Sequence, residues 1–201
     1  MKKLLFIAIG LTCILFLYMK CTENDNCMQE DISGKILRLH IIANSDSEED
    51  QNVKMQVKTG VVTYLEDLLK DSSSLEESID ITSKHYDDIA GIADSILASA
   101  GKSYTAGCCI ERTSFPVKSY GDITLPAGDY TALRITLGDA SGKNWWCILY
   151  PPLCFVDASC GVVPDSSKEE LKEILTEEEY NSILSDKSEI EFRFKYLSFL
   201  N

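Results

Sequence analysis

Apolar residues change their spacing once along this chain, and that change limits the folds that it can adopt. Between Val53 and Ile96 they recur at steps of three and four, the spacing of amphipathic helices. From Tyr104 onwards they alternate with polar residues, as in half-buried strands. One further strand is predicted before the helices, at residues 36–43, and a last one at 189–196. The sequence therefore predicts an α+β fold in which two long helices pack on a mainly antiparallel sheet, in the order β-α-α-β-β-β-α-β.

The predicted helices have recognisable starts and ends. A Ser or Thr followed three residues later by Glu is the pattern of a capping box. It occurs at three predicted helix starts, at Ser45 with Glu48, Ser74 with Glu77, and Thr176 with Glu179. Gly101 is well placed to end the second long helix. His85 lies on the apolar stripe of that helix, so we interpret it as a packed, hydrogen-bonded histidine.

The N-terminus has the layout of an export signal. Two lysines precede an uninterrupted apolar run over residues 4–19, a length between that of a secretory signal and that of a membrane span. We therefore expect residues 1–20 to be a signal peptide or a single-pass signal anchor, followed by a polar, acidic linker at 21–35. Positive charge ahead of the run keeps the N-terminus in the cytoplasm. Residues 36–201 would then form one extracytoplasmic domain, attached to a membrane only through the N-terminal segment.

The charge of the chain excludes one large class of partners. The 201 residues include 19 Lys and Arg against 32 Asp and Glu, which gives a formal net charge of −13. Because three of the basic residues lie in the first 21 positions, the predicted exported domain is more acidic still. Such a domain repels phosphate backbones, so nucleic acid is not expected as a partner.

Eight cysteines are present, and export makes disulfide bonds permissible. None of them forms a Cys-x-x-Cys pair, so the spacing supports neither a zinc ribbon nor a thioredoxin-like redox site. Two interpretations stay open: most of the cysteines are small buried apolar side chains, or one structural disulfide joins two of Cys147, Cys154 and Cys160. Cys108 and Cys109 point to opposite faces of a predicted strand and so do not easily serve one ion. No metal site is predicted.

No catalytic constellation is evident in the sequence. A thiol hydrolase would need Cys109, Cys147 or Cys154 beside His40 or His85, and no oxyanion loop flanks any of these cysteines. His40 itself is expected on the solvent-facing side of the first strand. The acidic runs are explained as partners of helix dipoles or as solvated helix faces. We therefore predict no catalytic residues and no cofactor, and expect a protein that is not an enzyme.

Two groups of residues are predicted to contact a protein partner. They are the polar corner, formed by Asn44, Ser45, Asp46, Asp50 and Gln51, and the aromatic–proline segment, formed by Trp145, Trp146, Pro151 and Pro152. Ser45 alone would cap the helix, so Asn44 and Gln51 are predicted to be surplus to capping and available at the surface. Trp145 and Trp146 point to opposite faces of their strand. Either both faces are covered, or one tryptophan is an exposed anchor for a partner.

Three blocks of this sequence resemble one family specifically. They are LRLHIIANSDSEEDQ at 37–51, FPVKSYG with LPAGDYTALR between 115 and 134, and GKNWWCILYPPLCF at 142–155. Together and in this order, they are similar to the stage II sporulation protein R family. The apolar N-terminus and the C-terminal helix and strand fit the layout of that family, although they are less diagnostic.

The resemblance implies a role that composition does not reveal. Members of this family are made in the forespore of endospore-forming bacteria and exported into the space between forespore and mother cell. There they trigger a membrane-embedded aspartic protease to process the pro-form of mother-cell sigma factor E, and no catalytic activity is attributed to them. From the residues alone, an extracytoplasmic cysteine-dependent hydrolase and a cell-wall-binding module stay open as alternatives.

Overall fold

The computed structural model describes residues 27–153 and 163–184, and its elements follow the predicted change from helices to strands. In chain order they are α1 (27–33), β1 (Leu37–Ile42), α2 (Glu48–Leu69), α3 (Leu75–Lys84), α4 (Tyr86–Ser99), β2 (Ala106–Phe115), β3 (Lys118–Tyr120), β4 (Ile123–Leu125), β5 (Gly128–Leu137), β6 (Asn144–Tyr150), α5 (Asp165–Ile174) and α6 (Glu177–Ile183). The predicted export segment, the last predicted strand, Cys154 and Cys160 lie outside the described residues. Within the described ranges, no helix is both long and apolar enough to cross a membrane.

Four strands form the main sheet in the order β2-β5-β1-β6. β2 and β5 are antiparallel, and so are β1 and β6. The two central strands, β1 and β5, run parallel, with Leu39 opposite Leu133. β3 and β4 form a separate two-stranded hairpin. The α+β fold with a mainly antiparallel sheet is therefore confirmed, and the parallel central pair is possible because the helices carry the chain across one face between β1 and the later strands.

The helices cover one face of the sheet and form the main core with it. Every third or fourth residue of α2 is buried, as the apolar spacing predicts. The core includes Val57, Val61 and Leu65 of α2, Ile89, Ala93 and Leu97 of α4, and Leu39, Ile41 and Leu133 of the sheet. All of these side chains are almost completely removed from water. Burial of a Val, Leu or Ile side chain contributes about 1.5–3 kcal/mol, and the smaller side chain of Ala93 contributes less.

The second long helix expected from the sequence is in fact two helices, α3 and α4, which separate at His85. His85 has φ −114° and ψ 21°, outside the helical range. Its ring nitrogen Nδ1 lies 2.9 Å from the carbonyl oxygen of Ile81. The predicted hydrogen-bonded histidine is confirmed, but it lies at a helix break rather than within a continuous stripe.

Two of the three predicted helix caps are confirmed. The Ser74 hydroxyl caps α3, and Thr176 forms a complete capping box with Glu179 at the start of α6. The prediction for α2 is wrong, because this helix begins one residue after Ser47. Ser47 therefore occupies the extended cap position, and its hydroxyl, rather than that of Ser45, accepts a hydrogen bond from the Asp50 amide.

The opposite face of the sheet is covered as well, by a second apolar cluster. It includes Ile32 of α1, Ile123 and Leu125 of the β3–β4 hairpin, Ile148 of β6, Leu171 of α5 and Ile183 of α6. All six residues of β1 are buried as a result.

The predicted linker at residues 21–35 is wrong for residues 27–33, which are helical. Ile32 in this helix is 1% exposed. Just after the helix, the Lys35 ammonium lies 2.7 Å from the carboxylate of Glu179. The segment has too few apolar residues to show a helical period, so tertiary packing rather than local pattern determines its structure.

Candidate functional site

The polar corner is a connected network centred on the carboxylate of Asp50, a side chain that is 5% exposed. Asn44 Nδ2 and Ser45 Oγ donate hydrogen bonds to Asp50 Oδ2 at 2.8 and 2.6 Å. At the other oxygen, Tyr104 Oη donates at 2.7 Å and the Lys102 ammonium lies 2.9 Å away. These hydrogen bonds, of which that from Asn44 is the strongest influence, hold the pKa of Asp50 well below its usual range although burial acts to raise it. Asp50 is therefore an anion throughout the physiological pH range.

Asn44 connects the polar corner to the loop between β5 and β6. Its Oδ1 atom accepts a hydrogen bond from the amide of Asp139 at 2.9 Å, and its carbonyl accepts one from the Ser141 hydroxyl at 2.6 Å. Gly138 permits this approach, since it has φ +55° and a Cβ atom there would lie 2.2 Å from Asn44 Oδ1. The expectation that Asn44 is surplus is therefore wrong, because its side chain holds two loops together.

Gln51 is also bonded within the chain, so the same expectation is wrong for it. Its Nε2 atom donates to the carbonyl of Ser45 at 2.9 Å, and its Oε1 atom accepts from the Lys54 ammonium at 2.7 Å. Lys54 is 4% exposed and donates a second hydrogen bond, at 2.9 Å, to the carbonyl of Lys143. Burial lowers the pKa of Lys54, and the nearby charge of Asp46 opposes that shift.

Asp46 is the exposed member of the polar corner. Its Oδ1 atom accepts a hydrogen bond from the Lys143 amide at 2.7 Å. Glu48 and Glu49, which follow in the first turn of α2, are exposed too. The outer surface of the corner is therefore acidic, and the buried residues behind it hold it in one shape.

Trp145 and Trp146 lie on opposite faces of β6, as predicted, and both are half-buried. Trp145 packs against the core beneath the helices, and the Lys58 ammonium lies 5.2 Å from the centre of its ring. Its Nε1 atom is buried without a hydrogen-bond partner in the described part of the chain. Trp146 stacks on the ring of His40 at 3.8 Å. Both faces of β6 are thus covered, and neither tryptophan projects as a free anchor.

His40 is 5% exposed, so the expected solvent-facing position is wrong. The reason is that Trp146 and Phe115 cover this face of β1, with ring centres 3.8 and 5.9 Å from that of His40. Its Nε2 atom lies 2.8 Å from Asn144 Oδ1. Burial lowers the pKa of His40 and the hydrogen bond to Asn144 opposes this, so the net effect favours the neutral ring.

Arg38, which no motif singled out, is fully buried beside this aromatic group. Its guanidinium carbon lies 4.2 Å from the ring centre of Phe115 and 4.8 Å from that of Tyr130. Nε donates to the carbonyl of Cys147 at 2.9 Å, and Nη2 donates to the hydroxyl of Tyr120 at 2.8 Å. Its Nη1 atom has no partner among the described residues. The sequence signal for this buried position is the place of Arg38 between Leu37 and Leu39 in a mainly apolar strand.

Pro151 and Pro152 lie at the opposite end of β6 from Asn144. A strand of this length spans roughly 20 Å, so the structure separates the two prolines from the polar corner. Pro151 is buried, whereas Pro152 is half-buried and lines a surface groove. The predicted partner-contact residues therefore do not form one continuous site.

The described cysteines fall into two chemical states. Cys147 is disulfide-bonded, which is compatible with the predicted structural disulfide. Cys27, Cys108 and Cys109 are free thiols. Burial raises the pKa of Cys108 to about 12, so its thiol stays protonated at neutral pH and is a poor nucleophile. Within residues 27–153 and 163–184, no group of three His, Cys, Asp or Glu side chains is arranged to hold a metal ion.

Comparison with known proteins connects this arrangement to one family. The family model described as stage II sporulation protein R matches residues 33–160, a range that contains the polar corner, the buried Arg38 and all of the main sheet. Stage II sporulation protein R of Bacillus subtilis (strain 168) is 36% identical over 155 residues, which cover 77% of this chain and 68% of that relative. No solved structure matches the chain. This chain belongs to the stage II sporulation protein R family.

Proposed function

We propose that this protein is an exported sporulation signal that binds a membrane-embedded aspartic protease and activates it, so that the pro-form of mother-cell sigma factor E is processed. Membership of the family gives the chain a role in sporulation. The observation that carries the proposal is the match of the family model to residues 33–160, because this range includes the segments that build the polar corner and the sheet. The proposed site of action is the space between forespore and mother cell, which the predicted export segment would allow the protein to reach.

The contacts between the three family-like segments support a signalling surface of fixed shape. Asn44 of the first segment bonds to the loop that leads into the third, and Arg38 of the first packs on Phe115 of the second. Phe115 in turn lies 4.6 Å, ring centre to ring centre, from Trp146 of the third segment. A surface that is already ordered loses little conformational freedom on binding, which favours recognition by shape.

Activation by binding requires that the protein prefers one state of its receptor. A ligand shifts a receptor's equilibrium only by the difference between its affinities for the two states. The acidic outer surface at Asp46, Glu48 and Glu49 is exposed and rigidly backed, so we assign it to contact with basic groups on the extracytoplasmic side of the protease. In this proposal Asn44, Asp50 and Gln51 position that surface rather than touch the partner.

The experiment that tests the proposal is co-expression of the full chain with the protease and the sigma-factor precursor in a host that does not sporulate. Conversion of the precursor to its shorter form should require this chain and an intact protease aspartate. Removal of residues 1–20 should abolish the conversion, because the protein would no longer reach the extracytoplasmic side.

Two results of this experiment would overturn the proposal. One is a precursor of unchanged size although all three proteins are present. The other is full processing by the protein without residues 1–20. Loss of processing in Cys109→Ser, with an unchanged melting temperature, would instead favour the cysteine-dependent hydrolase, since Cys109 is an exposed free thiol. Retention of the purified full chain on peptidoglycan would favour the cell-wall-binding module.

A further inference from the structure

A groove lies at the proline end of β6, away from the polar corner. It forms where the end of α2 and the loop after it meet the end of β6 and one side of α5, and it has a volume of about 330 Å³. Its apolar lining comes from Leu69, Leu149, Pro151, Pro152 and Ile174. This volume is at the lower end of the range for ligand pockets, and it suits one or two side chains of a bound segment rather than a large cofactor.

The groove is surrounded by carboxylates. Glu170 and Glu173 of α5 line it directly. Burial raises the pKa of the Tyr150 hydroxyl, and the negative charges of Glu170, Glu76, Glu173 and Glu77 raise it further. The pKa of Glu170 is itself raised, by burial and by the charge of Glu173. The two α5 carboxylates therefore repel each other at the edge of an apolar surface.

Tyr150 provides a second, independent feature of this groove. Its side chain lines the groove although the residue is only 8% exposed. The hydroxyls of Tyr120 and Tyr130 are hydrogen-bonded to other residues, whereas Tyr150 belongs to the lining of the groove. Its hydroxyl is also not one of the buried polar atoms that lack a partner in the described chain, so it is accessible at the groove, where water or a bound group can reach it.

We infer that this groove binds a segment of the partner protein that presents an aliphatic side chain next to a lysine or arginine. The aliphatic side chain would pack between Pro152 and Ile174. The cation would lie between the carboxylates of Glu170 and Glu173. A bound cation would relieve the repulsion between the two carboxylates, so charge complementarity selects a basic segment over an acidic or a neutral one. This inference names a docking site for the proposed function and rests on it for the identity of the partner.

The cations near the groove do not neutralise its carboxylates. Lys70 lines the groove and is exposed, and no ion pair joins it to a carboxylate of the described chain. Lys172 of α5 lies over the ring of Tyr180, 5.1 Å from its centre. Glu170 and Glu173 are thus free of ion pairs among the described residues, and a cation from outside the chain is the missing counter-charge.

The experiment compares two double variants of the full chain that change the net charge equally. Glu170→Gln with Glu173→Gln removes the charge of the groove, and Glu169→Gln with Glu178→Gln removes two exposed carboxylates that do not line it. The probe is the capped, fluorescent peptide Leu-Arg-Leu-Lys, with Leu-Glu-Leu-Glu as its acidic counterpart, measured by fluorescence anisotropy. The groove variant should bind the basic peptide roughly tenfold more weakly than the wild type, as expected for the loss of charge-assisted contacts. The control variant should bind it as the wild type does.

Precursor processing in the co-expression assay gives the second measurement. At limiting expression, the groove variant should process roughly tenfold less precursor than the control variant, in line with its weaker binding. Absence of processing by the wild type would overturn the proposed function alone, because peptide binding reports on the groove separately. Equal peptide binding by the two double variants would overturn the groove. So would self-association of the wild type that the groove variant loses, since a second copy of the chain would then be the occupant.

Discussion

The Lys102 ammonium lies 2.9 Å from the carboxylate of Asp50, whose side chain is almost completely buried. The pair joins the segment between α4 and β2 to the first turn of α2. Asn44 brings the end of β1 to the same carboxylate, and its other amide atom reaches the loop between β5 and β6. One buried anion thus fixes four parts of the chain relative to each other. Since a buried charge is costly unless it is paired, the corner is stable only with its donors in place.

Asn44→Ala should therefore destabilise the fold, contrary to what the sequence alone suggests. The change leaves Asp50 short of a donor and the Asp139 amide without an acceptor, and should lower the free energy of unfolding by about 1–3 kcal/mol. Urea denaturation measures this. Glu48→Gln, at an exposed position in the same turn, is the matched control and should stay within about 0.5 kcal/mol of the wild type. Equal stability of the two variants would show that the network is not structural.

Asp50 should make the stability of the protein sensitive to acid. Its folded pKa lies below its ordinary value of 3.8, so the folded state favours the ionised carboxylate. The stability that it contributes is fully present above the unfolded pKa and is lost as the pH falls through the folded pKa. In Asp50→Asn this contribution is absent at every pH. The difference in unfolding free energy between wild type and variant should therefore be larger at about pH 6 than at about pH 3. A constant difference across this range would contradict the assignment.

Arg38 should not tolerate a lysine, although the charge is the same. Its planar guanidinium packs on Phe115 and Tyr130 while donating to the Cys147 carbonyl and to Tyr120. An ammonium cannot reproduce both the stacking and the directed donors. Arg38→Lys should therefore cost about 1–3 kcal/mol by urea denaturation, through unsatisfied groups and lost packing.

The control for Arg38→Lys is the same substitution at an exposed position of β2. Arg112→Lys should change the unfolding free energy by less than about 0.5 kcal/mol, since Arg112 is at the surface. If both lysine variants are equally stable, the aromatic surroundings of Arg38 do not depend on the shape of its head group.

Hydrophobic period was sufficient to predict the fold class, because α2 and β1 carry their patterns in their own residues. The period does not reveal where a helix breaks or which segments are held in place by packing on other elements. Nothing in the sequence between Ser74 and Gly101 marks the break at His85, where the ring lies within hydrogen-bond distance of the Ile81 carbonyl. The helix at residues 27–33 was missed because its single fully buried apolar residue, Ile32, is explained only by packing on α5, α6 and the hairpin.

The candidate site was predicted less well, for a related reason. The polar residues from Asn44 to Gln51 were predicted as one group, and hydrogen bonds do join several of them, but other partners come from loops about 50 and 95 positions away in the chain. Local capping rules predict Ser45 as the helix cap, but they do not predict hydrogen-bond partners from distant loops. His40 was expected on a solvent-facing side of β1, because the sequence does not show that Phe115 and Trp146 cover this side. The groove beside Pro152 could not be predicted for the same reason, since the acidic run that includes Glu170 was interpreted as a solvated helix face.

The free thiols should differ in reactivity in a way that bears on the hydrolase alternative. Cys109 and Cys27 are exposed, whereas burial raises the pKa of Cys108 to about 12. Iodoacetamide reacts with the thiolate, so at mildly alkaline pH the folded protein should be alkylated at Cys109 and Cys27 well before Cys108. Peptide mass spectrometry follows each site, and the unfolded protein, in which the three should react alike, is the control. Rapid labelling of Cys108 in the folded protein would show an activated thiol and revive the hydrolase.

The helix at residues 27–33 should be part of the folded domain rather than a linker. Ile32 is 1% exposed and packs against the hairpin and the C-terminal helices, so Ile32→Ala should leave a cavity and cost about 2–5 kcal/mol. Asp31→Asn, at the exposed neighbouring position, should have almost no effect on stability. Thermal and urea unfolding of both variants in the full chain give the measurement. If Ile32→Ala melts like the wild type, the folded domain begins after this helix. If it is destabilised as expected, a domain cut at residue 36 lacks part of its own core.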